Sequence, residues 1–215
     1  MDHFTVDSLK QIKNEVLLKK KACRIIAISK TFQIEKIRPL LEFGHVDFGE
    51  NKVQEAIDKW SNTKNEFKDI KLHMVGRLQT NKVKYAVQIF DYIHSVDSFK
   101  LAKKISEEQN KINRKIKLFI QINIDNEKQK SGILINELND FYQSLVKELN
   151  LDVIGLMCIP SVEKKSQKAF ELIKKLSDNI GTKEISMGMS SDYLTALDYD
   201  STFIRIGTKI FGKRV

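Results

Sequence analysis

Arg24-Ile25-Ile26-Ala27-Ile28-Ser29-Lys30, residues 24–30, decides the reading of this chain. Its apolar part is short, rich in isoleucine and continuous rather than alternating, the pattern of a strand covered on both faces in a parallel sheet. On its N-terminal side, Leu9, Ile12, Val16 and Leu17 recur at helical spacing across 6–20. On its C-terminal side Ile34, Ile37, Leu41 and Phe43 do the same before Gly44 stops the run. Pro39 falls inside that second segment, where proline costs about 3 kcal/mol, so the spacing predicts a helix that begins there or is kinked.

The alternation continues to the end of the chain. Strands are predicted at 46–48, 71–75, 90–93, 116–124, 151–157, 184–187 and 202–206. Helices are predicted at 52–59, 79–87, 99–110, 133–149, 162–180 and 193–197. With 24–28 this makes eight strands separated by helices, with no Pro/Gly/Ser-rich linker between them. The expectation is an α/β fold: a (β/α)8 TIM-like barrel, preceded by an extra N-terminal helix, as one domain over 1–215.

Composition excludes several classes. The 215 residues are 41% hydrophobic and 30% charged, too rich in branched aliphatics for a disordered chain. No apolar run approaches the ~20 residues of a membrane helix, and Met1-Asp2-His3-Phe4 lacks the pattern of a signal peptide. Cys23 and Cys158 sit in apolar surroundings without metal-ligand spacing, as buried thiols of a reducing cytoplasm would. The net charge of +9 comes mostly from lysines spread over helical segments with acids among them. That reads as solvated faces and not as a nucleic-acid surface, although an anionic small ligand would benefit from the field.

In such a barrel the chemistry sits where strands end. Lys30 follows the first strand, Glu50-Asn51 the second, His73 lies within the third, and Ser95, Asp97, Asn123 and Asp125 follow the fourth and fifth. A lysine at a dehydrated mouth loses part of its preference for the ammonium form, as a Schiff-base lysine requires; judged alone, among so many lysines, it reads instead as a lysine merely reaching solvent. Ser186-Met187-Gly188-Met189-Ser190-Ser191-Asp192 leads into a helix that Ser191 or Asp192 can cap, and Gly207-Thr208 follows the last strand. Barrels commonly build phosphate sites at these two loops, though each alone is also an ordinary turn. Arg205, two residues before Gly207, shares its strand face. It would donate to a ligand nitrogen or pair with a neighbouring acid.

Eight ordered stretches carry a specific resemblance. They are AISKT (27–31), DFGENKVQEA (47–56), HMVGRLQTNK (73–82), HSVDS (94–98), QINIDNEKQKSGI (121–133), GLMCIP (155–160), ISMGMSSDYLTAL (185–197) and STFIRIGTKIFGKR (201–214). Together they resemble the pyridoxal phosphate homeostasis protein family, related to the N-terminal barrel of alanine racemase, a fold type III barrel that binds pyridoxal 5′-phosphate (PLP). The resemblance implies PLP as an internal aldimine on Lys30, with Asn51 and His73 lining the pocket and Arg205 facing the pyridine nitrogen. It implies Ser190, Gly207 and Thr208 on the phosphate, Met187 packing nearby, no metal, and Lys130 either as a second amine or as part of a helix-entry turn. Asp200 departs from the family, which commonly has glycine there.

The related racemases add a C-terminal domain bearing a catalytic tyrosine, whereas this sequence stops at Val215. An arginine on the ring nitrogen also makes the ring a poorer electron sink. The resemblance therefore implies a non-catalytic, monomeric carrier that buffers PLP in the cytoplasm and delivers it to PLP-dependent apoenzymes. Two rivals are a PLP-dependent racemase or lyase, with Tyr193 its nearest tyrosine, and a phosphate-binding barrel that engages nucleic acid.

Overall fold

Residues 24–28 form strand β1 (Arg24–Ile28), bonded in parallel to β2 (Asp47–Glu50) on one side and β8 (Phe203–Ile206) on the other. The remaining strands are β3 (Lys71–Met74), β4 (Tyr92–Val96), β5 (Lys117–Ile122), β6 (Val153–Cys158) and β7 (Glu184–Met189). They follow in chain order and close into an eight-stranded parallel barrel. The structure is a computed structural model describing residues 3–19, 21–127, 129–161 and 166–213.

Helices α1 (Phe4–Leu18), α2 (Ile34–Glu42), α3 (Val53–Glu66), α4 (Val83–Ile89), α5 (Phe99–Lys111), α6 (Leu138–Gln143), α7 (Ser166–Ile180), α8 (Tyr193–Asp198) and α9 (Thr208–Phe211) surround it. Their apolar stripes pack on the outward strand residues: Leu9, Ile12, Trp60, Ala86, Ile105 and Phe170 are fully buried beside Ala27, Phe48, Leu72 and Ile204. Each such large side chain contributes roughly 1.5–3 kcal/mol through burial. A second cluster of Ile26, Ile28, Tyr92, Phe119, Met157 and Phe203 fills the barrel interior, so strand residues of opposite parity serve two separate cores.

Four expectations need correction. Helix α2 begins at Ile34 and runs through Pro39, because one lost bond to the preceding turn is outweighed by burial of Ile37, Leu40 and Leu41. The fourth strand starts at Tyr92, since Phe90 ends the preceding helix with its N–H on the Ala86 carbonyl. The helix expected over 133–149 is broken. Ile133 bridges to Ile122, then a 3-10 turn (Ile135–Glu137), α6 and a π-helical turn (Ser144–Glu148) follow. Asp192 does not cap α8; its carboxylate accepts from the Met189 N–H at 2.7 Å. The expected helix limits at Lys20 and Val162 lie outside the described residues. Asp200 adopts φ 61°, the left-handed backbone that suits the glycine the family commonly has.

Candidate functional site

Alternation along β1 sends Ile26, Ile28 and then Lys30 toward the barrel axis, and along β8 it does the same for Phe203, Arg205 and Gly207. The two strands are neighbours, with Ile26 opposite Arg205 and Ala27 opposite Ile206. Lys30, Arg205 and Gly207 therefore meet at the C-terminal mouth. They line a cavity of about 340 Å³ together with Asn51, Ser190, Ser191 and Thr208. Its apolar walls are Ile28, Val75, Ile159 and Met189. A mostly apolar cleft of this size with a few converging polar groups is the usual form of a small-ligand site. A larger open groove of about 820 Å³ adjoins at Asn51 and runs past Arg77 to Lys82, but neither Lys30 nor Arg205 reaches it.

The turn that carries Lys30 is pinned on both sides. Before it, the Ser29 hydroxyl donates to Glu50 at 2.7 Å and the Ser29 carbonyl accepts from Lys59 at 2.8 Å. After it, the Thr31 N–H donates to Glu55, and Thr31 holds φ 67°. Glu50 is wholly buried and also accepts from the Trp60 indole at 3.0 Å and from Lys59 at 2.9 Å. Burial raises its pKa, against the opposing pull of Lys59, Ser29 and Trp60. Neither Lys59 nor Glu55 was singled out from sequence; only their i,i+4 spacing on a helix following a strand end hinted at a shared face.

Arg205 is 5% exposed, and burial lowers its pKa. Its guanidinium donates to the Ser186 hydroxyl at 2.7 Å and to the Cys158 carbonyl at 2.8 Å. Both acceptors are neutral, and among the described residues no carboxylate lies within ion-pair distance of it. The ion pair that sequence left open for Arg205 is absent there. A buried cation beside a cavity and lacking a direct anionic partner suits an electron-rich acceptor arriving in that cavity.

On the opposite rim, the Ser190 hydroxyl accepts from the Lys209 N–H at 3.3 Å, tying the loop after β7 to the one after β8. Gly188, the next-to-last residue of β7, has φ 89° and lets the strand turn into that loop; a Cβ there would sit 2.6 Å from Ala196.

Two expected pocket residues lie elsewhere. His73 is fully buried one strand residue-pair below Val75, stacked on Tyr92 at 4.3 Å and 9°, inside the barrel and not on the cavity wall. Met187 has the opposite parity to Ser186 and packs under the helices; Met189 takes the place at the cavity. Tyr193 is also turned away, its hydroxyl bonded to Glu15 and Lys209. Lys130 is held by Asp125 at 2.7 Å and Glu127 at 3.0 Å. Desolvation lowers its pKa, but these hydrogen bonds outweigh that and raise it overall, opposite to what a second nucleophilic amine needs. Burial pushes both cysteine thiols up to about 12, which leaves them unreactive.

A parallel barrel with a lysine, a buried arginine and hydroxyl-bearing loops at its C-terminal mouth belongs to the class of lysine-centred small-ligand barrels. Within that class, residues 7–215 match the model of the alanine racemase N-terminal domain, and the chain belongs to that family. The pyridoxal phosphate homeostasis protein of Pasteurella multocida is 33% identical over 203 residues, 90% of this chain and 87% of its own. That of Aquifex aeolicus is 34% identical over 200 residues, 89% of this chain and 87% of its own. Among solved structures, PipY of Synechococcus elongatus with PLP bound superposes with a TM-score of 0.88 at 30% identity, covering 98% of this chain and 100% of that one.

Proposed function

We propose that this protein holds PLP at the barrel mouth and serves intracellular PLP homeostasis and delivery without robust catalysis. The observation that carries the reading is Arg205, a buried guanidinium at the cavity wall with only neutral partners at hydrogen-bond distance. The residues fit the cofactor in three respects: an amine at one wall, a strong donor at the base for the pyridine nitrogen, and hydroxyl and backbone donors at the rim for phosphate. Lys30 would attach the cofactor: its amine condenses with the aldehyde carbon, a C=N bond forms and water leaves. Ser190, Gly207 and Thr208 would grip the phosphate, and Asn51 would line the ring's edge.

A carrier role agrees with the names of the relatives and with PipY, which binds PLP. Tyr193 pairs with Glu15 and Lys209 away from the cavity, which removes the nearest tyrosine from a racemase reading. The proposal includes a monomer in the cytoplasm, with apoenzymes as recipients, and assigns no role to nucleic acid or membrane; among the described residues no helix is long and apolar enough to cross a bilayer. Borohydride reduction of the PLP-loaded protein followed by peptide mass analysis tests the attachment. Label on Lys30 is expected; label on a different residue defeats the assignment.

A further inference from the structure

A continuous line of hydrogen bonds crosses the barrel interior from its floor to the cavity. At the floor, Arg24 grips Asp47 through two nitrogens, at 2.6 and 3.2 Å, and also donates to the Tyr92 hydroxyl at 2.6 Å. Asp47 lies 2.9 Å from His73 Nε2, His73 Nδ1 lies 3.0 Å from His94 Nε2, and His94 Nδ1 lies 2.9 Å from Ser186 Oγ. Ser186 in turn accepts from Arg205 at 2.7 Å. The members come from β1, β2, β3, β4, β7 and β8, so the line is a property of the closed barrel and not of one segment.

Its proton order follows from the two ends. A carboxylate only accepts, so His73 carries its proton on Nε2. A neutral His73 then accepts at Nδ1, which places the His94 proton on Nε2, and a neutral His94 accepts at Nδ1 from the Ser186 hydroxyl. At the other end, Ser186 accepts from Arg205 and must place its own hydrogen, and His94 Nδ1 is the neighbour that takes it. Both ends demand the same direction. The charged groups around the imidazoles are Arg24, Asp47, Asp91 and Arg205. Burial lowers the pKa of His73, and burial, reinforced by the Arg205 and Arg24 charges, takes His94 well below its ordinary value, which keeps both rings neutral. Stacking fixes their planes, His73 on Tyr92 and His94 on Phe119 at 4.2 Å and 15°.

We propose that Asp47, acting through His73, His94 and Ser186, orients Arg205 from the far end of the barrel. These four are positioning residues; none lines the cavity. The design has a chemical reason. A carboxylate placed directly on Arg205 would compete with the ligand nitrogen for its N–H groups. A carboxylate acting through neutral groups fixes the orientation of the guanidinium while leaving the cavity-facing donors to the ligand. This inference rests on the PLP reading only for its consequence, since the relay itself exists without ligand.

The test has two arms. In cofactor-free protein labelled with ¹⁵N-histidine and ¹⁵N-arginine, His73 and His94 are both expected as neutral Nε2–H tautomers at pH 7.5. Asp47→Asn is expected to move the Arg205 side-chain resonance across the barrel. An Nδ1–H tautomer at His94, or an Arg205 resonance indifferent to position 47, overturns the relay. In the second arm, PLP is added. Ser186→Ala, a small change that keeps the fold if Asp47→Asn does not, is expected to weaken PLP retention about tenfold, the scale seen when groups orienting a functional side chain are removed elsewhere. It is also expected to shift the pH midpoint of the visible absorbance. Normal retention and midpoint in that variant sink the coupling to Arg205, whereas a wild-type protein that takes up no PLP sinks the cofactor reading and leaves the first arm standing.

Discussion

Lys59 reaches back from α3 to the C-terminal ends of β1 and β2 to place its ammonium 2.9 Å from the Glu50 carboxylate, and both side chains are shut away from water, 8% and 0% exposed. Because Lys59 also holds the Ser29 carbonyl at 2.8 Å, the pair fixes the backbone immediately before Lys30. The strength of such a pair shows on removing one partner, which leaves the other charge buried and uncompensated.

Lys59→Met is accordingly expected to destabilise the fold by about 3–5 kcal/mol, with Lys59→Met/Glu50→Gln recovering part of the loss. Urea unfolding followed by circular dichroism measures both. If the single and double variants are equally unstable, packing of the Lys59 stem, and not the ion pair, carries the effect.

Stability should depend on pH through the buried histidines. His45, His73 and His94 are all buried, and burial lowers all three pKa values, His45 to about 4. Below the unfolded value of about 6.5 the unfolded chain binds protons that the native state refuses, so stability is full above that pH and falls as pH drops toward the native values. His45 alone should withdraw on the order of 3 kcal/mol by pH 4. Asp47, held low by His73 and Arg24 against the effect of its burial, adds to the loss in stronger acid. Glu50 and Asp97, both raised by burial, offset part of it. Unfolding midpoints should be highest near pH 7.5, drop steeply below 6.5 and decline again toward pH 9, where unfolded thiols ionise and the buried native ones do not; a flat profile down to pH 5 would refute this.

Much of the fold was legible because strands covered on both faces read as plain apolar runs, and β1 matches the predicted 24–28. Phe90 misled the fourth strand because an apolar residue ending a helix and one starting a strand look alike without their hydrogen bonds. Lys30 and Arg205 were legible because each sits at a strand end whose parity is fixed by its neighbours. His73 and Met187 failed for different geometric reasons. His73 has the inward parity but lies too deep, and Met187 follows Ser186 onto the outer face. The relay and the Lys59 anchor were invisible because successive relay members lie 19 to 92 positions apart, and Lys59 lies 30 from Ser29, so that they meet only when the barrel closes.

The last turn of chain in β7 should tolerate no side chain at Gly188. Its φ of 89° disfavours any L-residue, and an added Cβ would stand 2.6 Å from the Ala196 Cβ and 3.0 Å from Tyr193 Cα. Gly188→Ala is expected to cost about 1–3 kcal/mol and to displace Ser190, so that PLP retention falls more than stability alone explains. Equilibrium dialysis against PLP at a temperature where the variant remains folded separates the two effects, and unaltered retention would detach this loop from the phosphate.

Arg205 offers the sharpest contrast between a structural and a ligand-binding role. Were it a structural pair, truncation would strand a buried acid and cost several kcal/mol. Its partners here are Ser186 and the Cys158 carbonyl, so Arg205→Met removes a costly buried charge and gives up two hydrogen bonds to neutral groups. Those terms oppose each other: each acceptor left without its donor costs about 1–3 kcal/mol, and losing the desolvated cation returns several kcal/mol. The cofactor-free variant should therefore unfold within about 1 kcal/mol of wild type, while its stabilisation by added PLP shrinks markedly. Thermal unfolding with and without PLP reads both quantities. A cofactor-free loss of 3 kcal/mol or more would mean that the guanidinium belongs to the architecture and not to a ligand site.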